Sequence, residues 1–202
     1  MNFLDKKNLR NFFQNQRDQI SSSEKIKAAE KINTIFLNSD FFNTQTSKKL
    51  KIGAYLASND LNELDINFLI FSLAQLGHEI YLPIIQSQDK SLRFRGYRPN
   101  ITKLKSHPNF KILEPEAQTP DWLVSAEILD IIFLPLVAFD TQGTRLGMGG
   151  GYYDRTLANQ SHPTHPILIG CAYTFQQAEH LPKDPWDKPL NFVLTEKFFL
   201  KF

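Results

Sequence analysis

The sequence lacks several features that would place it in particular classes of protein. Only one of its 202 residues is a cysteine, Cys171, so no disulfide can form within the chain, which is typical of a reducing compartment. The longest apolar-rich stretch, residues 128–139, is interrupted by Asp130 and Pro135 and is shorter than the roughly 18 residues that cross a bilayer. The N-terminus has no apolar core or cleavage site of a signal peptide. We therefore expect a cytoplasmic protein without a membrane partner.

The chain also lacks an excess of either charge. It has 23 Lys and Arg residues against 21 Asp and Glu residues, a formal net charge of +2. Nucleic-acid-binding domains concentrate a larger basic excess on one face, so we expect no nucleic-acid partner. Two small basic clusters suit a polyanionic small molecule instead. They are Lys6, Lys7 and Arg10, and Arg93, Arg95 and Arg98.

Apolar segments of helical and strand character alternate along the chain. Helices are predicted at residues 4–19, 24–36, 62–76 and 152–158, with Ser23 as the cap of the second. Strands are predicted at residues 51–56, 80–82, 92–97, 128–138, 166–170 and 192–194, and Pro83 is expected to close the second. This order predicts a single domain over residues 1–202, an α/β three-layer sandwich whose mostly parallel, mixed sheet is flanked by helices.

Five of the nine glycines lie between residues 143 and 151. They follow the strongest predicted strand and precede a helix, where α/β sheets bind ligands and where helix N–H groups face anions. Glycines let backbone amides converge on phosphate oxygens, and Arg145 adds a guanidinium of matching geometry. A purely structural turn is the alternative, but the strand before, the helix after and the arginine within favour phosphate.

This loop does not match the common phosphate motifs. A Walker A loop has Lys-Ser/Thr after its last glycine, where this chain has Tyr152. The spacing of Gly147, Gly149, Gly150 and Gly151 also fails the GxGxxG pattern of dinucleotide sites. The loop is therefore neither a P-loop nor a Rossmann fingerprint.

One long motif does resemble a known family. The signature of the 5-formyltetrahydrofolate cyclo-ligase family is similar to Pro135-Leu-Val-Ala-Phe-Asp-x-x-Gly-x-Arg-Leu-Gly-x-Gly-x-Gly-Tyr-Tyr-Asp-Arg155. The resemblance covers nearly the whole chain, because Lys6 with Arg10, and Gly53-Ala-Tyr-Leu56 with Glu63-Leu-Asp65, also match the family in order. It implies an α/β fold that binds ATP and magnesium beside a folate.

The resemblance further implies a reaction in two stages. The formyl oxygen of 5-formyltetrahydrofolate attacks the γ-phosphate of ATP and forms an imino-phosphate. The nitrogen at position 10 then closes the ring, phosphate leaves, and 5,10-methenyltetrahydrofolate and ADP result. A formamide oxygen is a poor leaving group until it is phosphorylated, so the protein mainly supplies positioning and charge neutralisation.

The resemblance assigns site residues by position. Lys6 and Arg145 are the expected catalytic residues. The expected ATP-binding residues are Lys6, Lys7, Arg10, Arg145, Leu146, Gly147, Met148, Gly149, Gly150, Gly151, Tyr152 and Tyr153. The expected folate-binding residues are Arg10, Tyr55, Glu63, Asp65, Gly149, Gly150, Gly151 and Tyr152. Asp154 and Asp187 are the expected magnesium ligands, with Asp184 as the alternative to Asp187.

Each assignment has a purely structural alternative. Lys6 and Arg10 share one face of the first helix, which in most proteins is solvated surface. Arg145 could pair with Asp140 to hold the loop. Glu63 and Asp65, either of which could hold the pterin, could instead stabilise a helix N-terminus. Of the two tyrosines, we expect one to stack on the folate ring and the other to pack against the sheet.

Other functions remain open at this point. A sugar-phosphate isomerase or an acyltransferase-like protein could share the fold and bind phosphate without ATP turnover. A nucleotide-binding accessory protein without turnover is disfavoured because Lys6, Arg145 and Asp154 are all present. We expect a monomer whose substrate can carry a polyglutamate tail, and Arg93, Arg95 and Arg98 are candidates to meet that tail.

Overall fold

A central mixed sheet organises the chain in a computed structural model that describes residues 5–45, 48–110, 112–117, 123–158 and 165–202. The helices are α1 (Lys6–Arg17), α2 (Ser22–Leu37), α3 (Asp40–Gln45), α4 (Asn67–Gln75) and α5 (Tyr152–Leu157). The strands are β1 (Lys51–Gly53), β2 (Glu79–Gln86), β3 (Ser91–Tyr97), β4 (Leu104–Ser106), β5 (Leu113–Pro115), β6 (Leu123–Val124), β7 (Ile131–Pro135), β8 (Ala138–Phe139), β9 (Arg145–Leu146), β10 (Ile167–Cys171), β11 (Phe192–Leu194) and β12 (Phe199–Lys201).

Eight of these strands form the main sheet, in the order β12-β11-β10-β7-β1-β2-β3-β6. The central pairs β2–β1, β1–β7, β7–β10 and β10–β11 are parallel. The outer pairs β2–β3, β3–β6 and β11–β12 are antiparallel. The parallel centre brings the carboxyl ends of β1, β7 and β10 to one edge of the sheet, where ligands of α/β sheets bind.

The side chains of β7 alternate between two cores. Ile131 and Phe133 face the core that α2, α3 and α4 cover, whereas Ile132 and Leu134 face the core that Leu157 of α5 enters. Both faces of this strand are therefore buried, as its unbroken apolar run predicts. The three-layer α/β sandwich with a mixed sheet is confirmed.

Helix α1 packs away from these two cores, beside the hairpin that follows β7. Leu9 and Phe13 of α1 are buried against Val137, Ala138 and Leu146 of the β8–β9 hairpin. The apolar pattern did not predict this hairpin, and residues 139–151 were expected to form one loop. Its consequence for the site is that Arg145 lies on a strand and only residues 147–151 form the glycine loop.

Two sequence predictions about element boundaries were wrong. Pro83 does not end its strand: β2 continues to Gln86, because β1 pairs with β2 only as far as Tyr81 and the missing N–H of Pro83 faces an unpaired edge. The cap of α2 is Ser21 rather than Ser23. The Ser21 hydroxyl accepts the Glu24 N–H, and the Glu24 carboxylate accepts the Ser21 N–H, which is a complete capping box.

Helix α4 begins later than predicted. Residues 59–61 form a separate turn of 3-10 helix, and Asp65 accepts the Asn67 N–H at 2.7 Å where α4 begins.

None of the helices in the described ranges combines the length and the apolar character that a bilayer crossing needs.

Candidate active site

A lysine and two aspartates from opposite ends of the chain meet in one cluster. Lys6 Nζ donates to Asp184 Oδ2 at 2.7 Å and to Asp187 Oδ2 at 2.8 Å. Burial lowers the pKa of Lys6, but these two hydrogen bonds outweigh it and raise the pKa above its usual value. Burial has the opposite effect on a carboxyl and raises the pKa of Asp187, but Lys6 and the Asp184 N–H hold that pKa below its usual range. Lys6 and Asp187 are therefore both charged at neutral pH.

Arg145 is the second fixed cation of the site. Its Nη2 donates to Asp154 Oδ1 at 2.6 Å and its Nη1 donates to the Lys188 carbonyl oxygen. The Lys188 N–H also donates to Asp154 Oδ1, at 3.3 Å. The expected alternative pairing of Arg145 with Asp140 was wrong, because the Asp140 carboxylate accepts the N–H groups of Gln142 and Thr144 and so closes the hairpin turn. Arg145 thus joins α5 to the segment that carries Asp187.

The glycine loop lies against α1. Arg10 Nε donates to the Gly147 carbonyl oxygen at 2.8 Å. Gly149 has a φ of +94°, and a Cβ added there would lie 3.3 Å from Arg10 Cζ. Only glycine combines this backbone conformation with so close an approach. Lys6 and Arg10 therefore share a helix face, as their spacing predicts, and that face meets the loop.

The helix that follows the loop is shorter than the phosphate argument assumed. Helix α5 has 6 residues, and its N-cap Gly151 has a φ of +67° and provides no side-chain cap. A helix of so few turns has a small dipole, since few peptide units add up. The loop amides, Lys6, Arg10 and Arg145 are therefore stronger candidates to hold a phosphate than the helix N-terminus is.

The two tyrosines at the start of α5 have different surroundings. The ring of Tyr152 meets the ring of Phe110 edge to face, with 5.6 Å between centroids, and the Arg155 guanidinium lies over it at 5.7 Å. Burial raises the pKa of Tyr153 far above its usual value, and the charge of Glu63 raises it further. Tyr153 therefore stays protonated, and the charges that act on it are those of Glu63, in the segment that follows β1, and of Arg145 on β9.

That segment supplies the candidate folate-binding carboxylates. Glu63 Oε2 accepts the Ser58 N–H at 2.9 Å, and Oε1 has no hydrogen-bond partner among the residues that the structure describes. Burial raises the pKa of Glu63, opposed by the Ser58 N–H and by Arg17. Asp65 is held in the same way: its Oδ1 accepts the Asn67 N–H at 2.7 Å, and its Oδ2 has no hydrogen-bond partner within the described ranges. Tyr55 is buried and donates to the Leu64 carbonyl oxygen at 2.7 Å, so its hydroxyl stabilises this segment.

Sequence analysis missed one residue here. Arg17 is only 2% exposed and continues the buried stripe of Leu9 and Phe13 at four-residue spacing. Burial lowers its pKa, and the charge of Glu63 is the largest opposing effect. The detectable signal was an arginine at a helix position that the apolar pattern assigns to the core.

Other predicted site residues have different roles. Lys7 is exposed, and its N–H caps α1 by donating to Asp5. Leu146 is buried under α1. Met148 is exposed and its sulfur accepts from Gln14 at 3.3 Å. The structure does not bring Lys7 or Leu146 into the cluster of charged groups.

The three arginines of β3 and its end do not form one surface. Arg95 is buried and donates to the Pro115 carbonyl oxygen at 2.6 Å. Arg98 lines a cleft with Lys49 and Lys103 at the opposite edge of the sheet, far along β3 from Arg93. Burial removes Arg95 from any surface that a polyglutamate tail could meet. Contact of Arg93 and Arg98 with such a tail stays a prediction.

The donor atoms of the site fit a magnesium ion. Asp154 and Asp187 are carboxylates linked through Arg145 and residue 188, and magnesium takes one or two carboxylates together with phosphate oxygens. No group of three or more His, Cys, Asp or Glu side chains poised to hold a metal occurs within the described residues. A site that is completed by substrate phosphate needs no such group. Asp187 is the better candidate for the second ligand, since its side chain is 15% exposed against 43% for Asp184.

The model of the 5-formyltetrahydrofolate cyclo-ligase family matches residues 3–196. The chain belongs to the 5-formyltetrahydrofolate cyclo-ligase family. A member from Haemophilus influenzae is 44% identical over 134 residues, which are 66% of this chain and 70% of that protein. A member from Escherichia coli is 42% identical over 135 residues, 66% of this chain and 71% of that protein. Both are named 5-formyltetrahydrofolate cyclo-ligase.

Solved structures of the cyclo-ligase family have the same fold. A 5,10-methenyltetrahydrofolate synthetase from Aquifex aeolicus superposes with a TM-score of 0.77 at 28% identity, over 97% of this chain and 92% of that chain. A synthetase of the same name from Mycoplasma pneumoniae superposes with a TM-score of 0.72 at 25% identity, over 96% of this chain and 99% of that chain. The predicted family is confirmed, and with it the prediction of a ligase of folate metabolism.

Proposed function

We propose that this protein cyclises 5-formyltetrahydrofolate to 5,10-methenyltetrahydrofolate with ATP and magnesium, and releases ADP and phosphate. The observation that carries the proposal is the meeting of Lys6, Arg145, Asp154 and Asp187 beside the glycine loop. Family membership supports the folate reaction, and this cluster supports its dependence on a metal-bound polyphosphate.

The cations act on the phosphate groups. Lys6, Arg10 and Arg145 approach the site from two elements, α1 and β9, so phosphate oxygens can be neutralised from two sides. Amides of residues 147–151 add uncharged donors. Because phosphoryl transfer depends mainly on alignment and charge neutralisation, these groups suffice to position the γ-phosphate for the formyl oxygen.

Asp154 and Asp187 would hold the magnesium ion, which neutralises charge on the phosphates when it is bound. Arg145 and the Lys188 N–H both hold Asp154. Lys6 and the Asp184 N–H both hold Asp187. Each carboxylate is thus held by two donors, so the two side chains would need little rearrangement when magnesium binds.

The folate would extend from the loop to the segment after β1. Glu63 and Asp65 are the candidate partners for the donor-rich edge of the pterin, since each has one oxygen that accepts a backbone N–H and a second without a partner among the described residues. Tyr152, partly exposed between Phe110 and Arg155, is the tyrosine placed to stack on a ring. The buried free thiol of Cys171 accords with a reducing compartment, and we place the enzyme in the cytoplasm.

The test is the appearance of the methenyl product by absorbance. Product should form only when folate, ATP and magnesium are all present. Arg145→Ala should lower kcat/KM for ATP by roughly 100-fold or more, because it removes a donor to phosphate and the partner of Asp154. Arg98→Ala, at the far edge of the sheet, is the matched control. ATP binding without folate-dependent turnover in the native protein would support the accessory-protein alternative instead.

A further inference from the structure

A single side chain joins the segment of the candidate folate-binding carboxylates to two helices. Asn62 Nδ2 donates to Asp18 Oδ1 at 2.7 Å, and Lys25 Nζ donates to Asn62 Oδ1. Asp18 is the residue at which α1 ends, and Lys25 lies near the start of α2. The Asn62 amide therefore bridges a carboxylate at the end of one helix and an ammonium on the next.

The charges of the two partners fix the direction of this amide. An amide nitrogen only donates and an amide oxygen only accepts, so a reversed Asn62 would set its oxygen against the Asp18 carboxylate and its nitrogen against the Lys25 ammonium. Hydrogen bonds to ionised partners are also stronger than those between neutral groups. The bridge therefore has one favourable orientation, and both ends of the side chain contribute to it.

The backbone of Asn62 completes the turn that presents Glu63. Asn62 has a φ of +48°, in the left-handed region that asparagine adopts more readily than most residues. It follows the 3-10 turn of residues 59–61, and the next residue, Glu63, donates its N–H to the Ser58 carbonyl oxygen at 3.4 Å. Because Asn62 immediately precedes Glu63, a displacement of Asn62 carries the carboxylate with it.

Helix α1 connects this bridge to the phosphate end of the site. Lys6 and Arg10, near the start of α1, contact Asp187 and the glycine loop, whereas Asp18 follows its last turn. A helix of 12 residues is about 18 Å long. One rigid element thus meets the candidate phosphate-binding groups at one end and the candidate folate-binding segment at the other.

We propose that Asn62 is a positioning residue for folate binding, whose amide bridge to Asp18 and Lys25 holds the carboxylates of Glu63 and Asp65 in place for the pterin. The inference rests on the proposed function, because it assigns a supporting residue to the folate end of that site. Asn62 acts through the segment and does not touch the substrate, since both ends of its amide are engaged by the two helices.

Loss of the bridge should weaken folate binding and leave ATP binding intact. A segment that leaves its binding conformation lowers the apparent affinity by the fraction of molecules that remain competent. Asn62→Gly removes both hydrogen bonds and retains the backbone conformation, because glycine adopts positive φ freely. The Kd of 5-formyltetrahydrofolate should rise about tenfold, whereas kcat at saturating folate and the Kd of ATP should change little.

A second left-handed asparagine provides the matched control. Asn100 has a φ of +63° and is exposed, and its side chain has no hydrogen bond within the ranges that the structure describes. It lies beyond the end of β3, beside Arg98 at the far edge of the sheet. Asn100→Gly makes the same chemical change without a bridge to lose, so both Kd values should stay at their native levels.

An exchange of groups across the bridge separates the hydrogen bond from general stability. Asn62→Asp retains an acceptor for Lys25, but it sets a second carboxylate against Asp18 and should weaken folate binding further than Asn62→Gly does. Adding Asp18→Asn supplies an amide donor opposite the new carboxylate and should restore most of the lost affinity. A role in stability alone would change the Tm and would leave the Kd of the folate unchanged.

The experiment measures the Kd of 5-formyltetrahydrofolate and of ATP separately by calorimetry, on proteins whose folding is checked by thermal unfolding. Lys25→Met, which removes one bond from outside the segment, should also raise the Kd of the folate alone and keeps the test open if Asn62→Gly does not fold. A native Kd of the folate in the folded single variants, or a double variant no better than Asn62→Asp, overturns the inference. Native protein that binds no folate overturns the proposed function, and this result is recognised before any variant is measured.

Discussion

Two glycines with nearly the same backbone conformation provide a sharp test of the loop. Gly149 has a φ of +94° and Gly77, between α4 and β2, has a φ of +90°. An alanine Cβ at Gly77 would meet nothing within 4 Å, whereas one at Gly149 would lie 3.3, 3.4 and 3.6 Å from three atoms of the Arg10 guanidinium. Gly77→Ala therefore measures backbone strain alone, whereas Gly149→Ala adds a tight steric contact with the Arg10 guanidinium.

The expected magnitudes follow from this geometry. A left-handed conformation costs a non-glycine residue about 1–2 kcal/mol, so each variant should melt several degrees lower, at about 2–4 °C per kcal/mol for a chain of this size. Gly149→Ala must in addition move Arg10, which donates to the Gly147 carbonyl oxygen at 2.8 Å. A displacement of a positioning group by about 1 Å can cost 100-fold in rate.

The assay pairs thermal unfolding with kcat/KM for ATP. We expect similar losses of Tm in the two variants, but a loss of about 10- to 100-fold in kcat/KM only in Gly149→Ala. Wild-type kinetics in folded Gly149→Ala would show that the contact between the loop and Arg10 is not needed for phosphate binding. An equal kinetic loss in Gly77→Ala would attribute the effect to general destabilisation.

Two further predictions concern charge. Lys6→Met should raise KM for ATP and cost about 1 kcal/mol of stability or less, since the pair is partly exposed. Because Lys6 depresses the pKa of Asp187, that stability is present above the unfolded pKa of about 3.9 and should vanish as the pH falls further, which urea unfolding at several pH values can show. Asp130→Ala should cost about 1–2 kcal/mol at pH 7, because Asp130 accepts from Lys48 Nζ and the Lys51 N–H, each at 2.8 Å. Hydrogen bonds hold its pKa below the usual value despite burial, so this loss should also fade in acid, and a loss that stays constant below about pH 3 would refute the assignment.

The local pattern of apolar residues was sufficient to predict much of the fold. The apolar run that contains β7 predicted a strand buried on both faces, and the structure places its alternate side chains in two cores. Where prediction failed, a long-range contact decided the outcome. Pro83 stays within β2 because its partner β1 ends earlier, and nothing near Pro83 in the sequence records that.

The site likewise divides into features that local sequence predicted and features that long-range contacts decide. The glycine loop and the shared helix face of Lys6 and Arg10 are local features and were predicted. The bonds from Lys6 to Asp184 and Asp187 join residues that are 178 and 181 positions apart, so no local pattern contains them. The structural alternative for Arg145 was a pair with the near Asp140, but Asp140 accepts N–H groups of the hairpin turn and Arg145 pairs with Asp154 instead.

The central claim is that ATP phosphorylates the formyl oxygen of the folate. The most direct test is a single turnover with substrate that carries oxygen-18 in the formyl group, followed by mass spectrometry of the released phosphate. If the formyl oxygen attacks the γ-phosphate, every phosphate released with a methenyl product carries one oxygen-18 atom. Methenyl product accompanied by unlabelled phosphate would contradict the account.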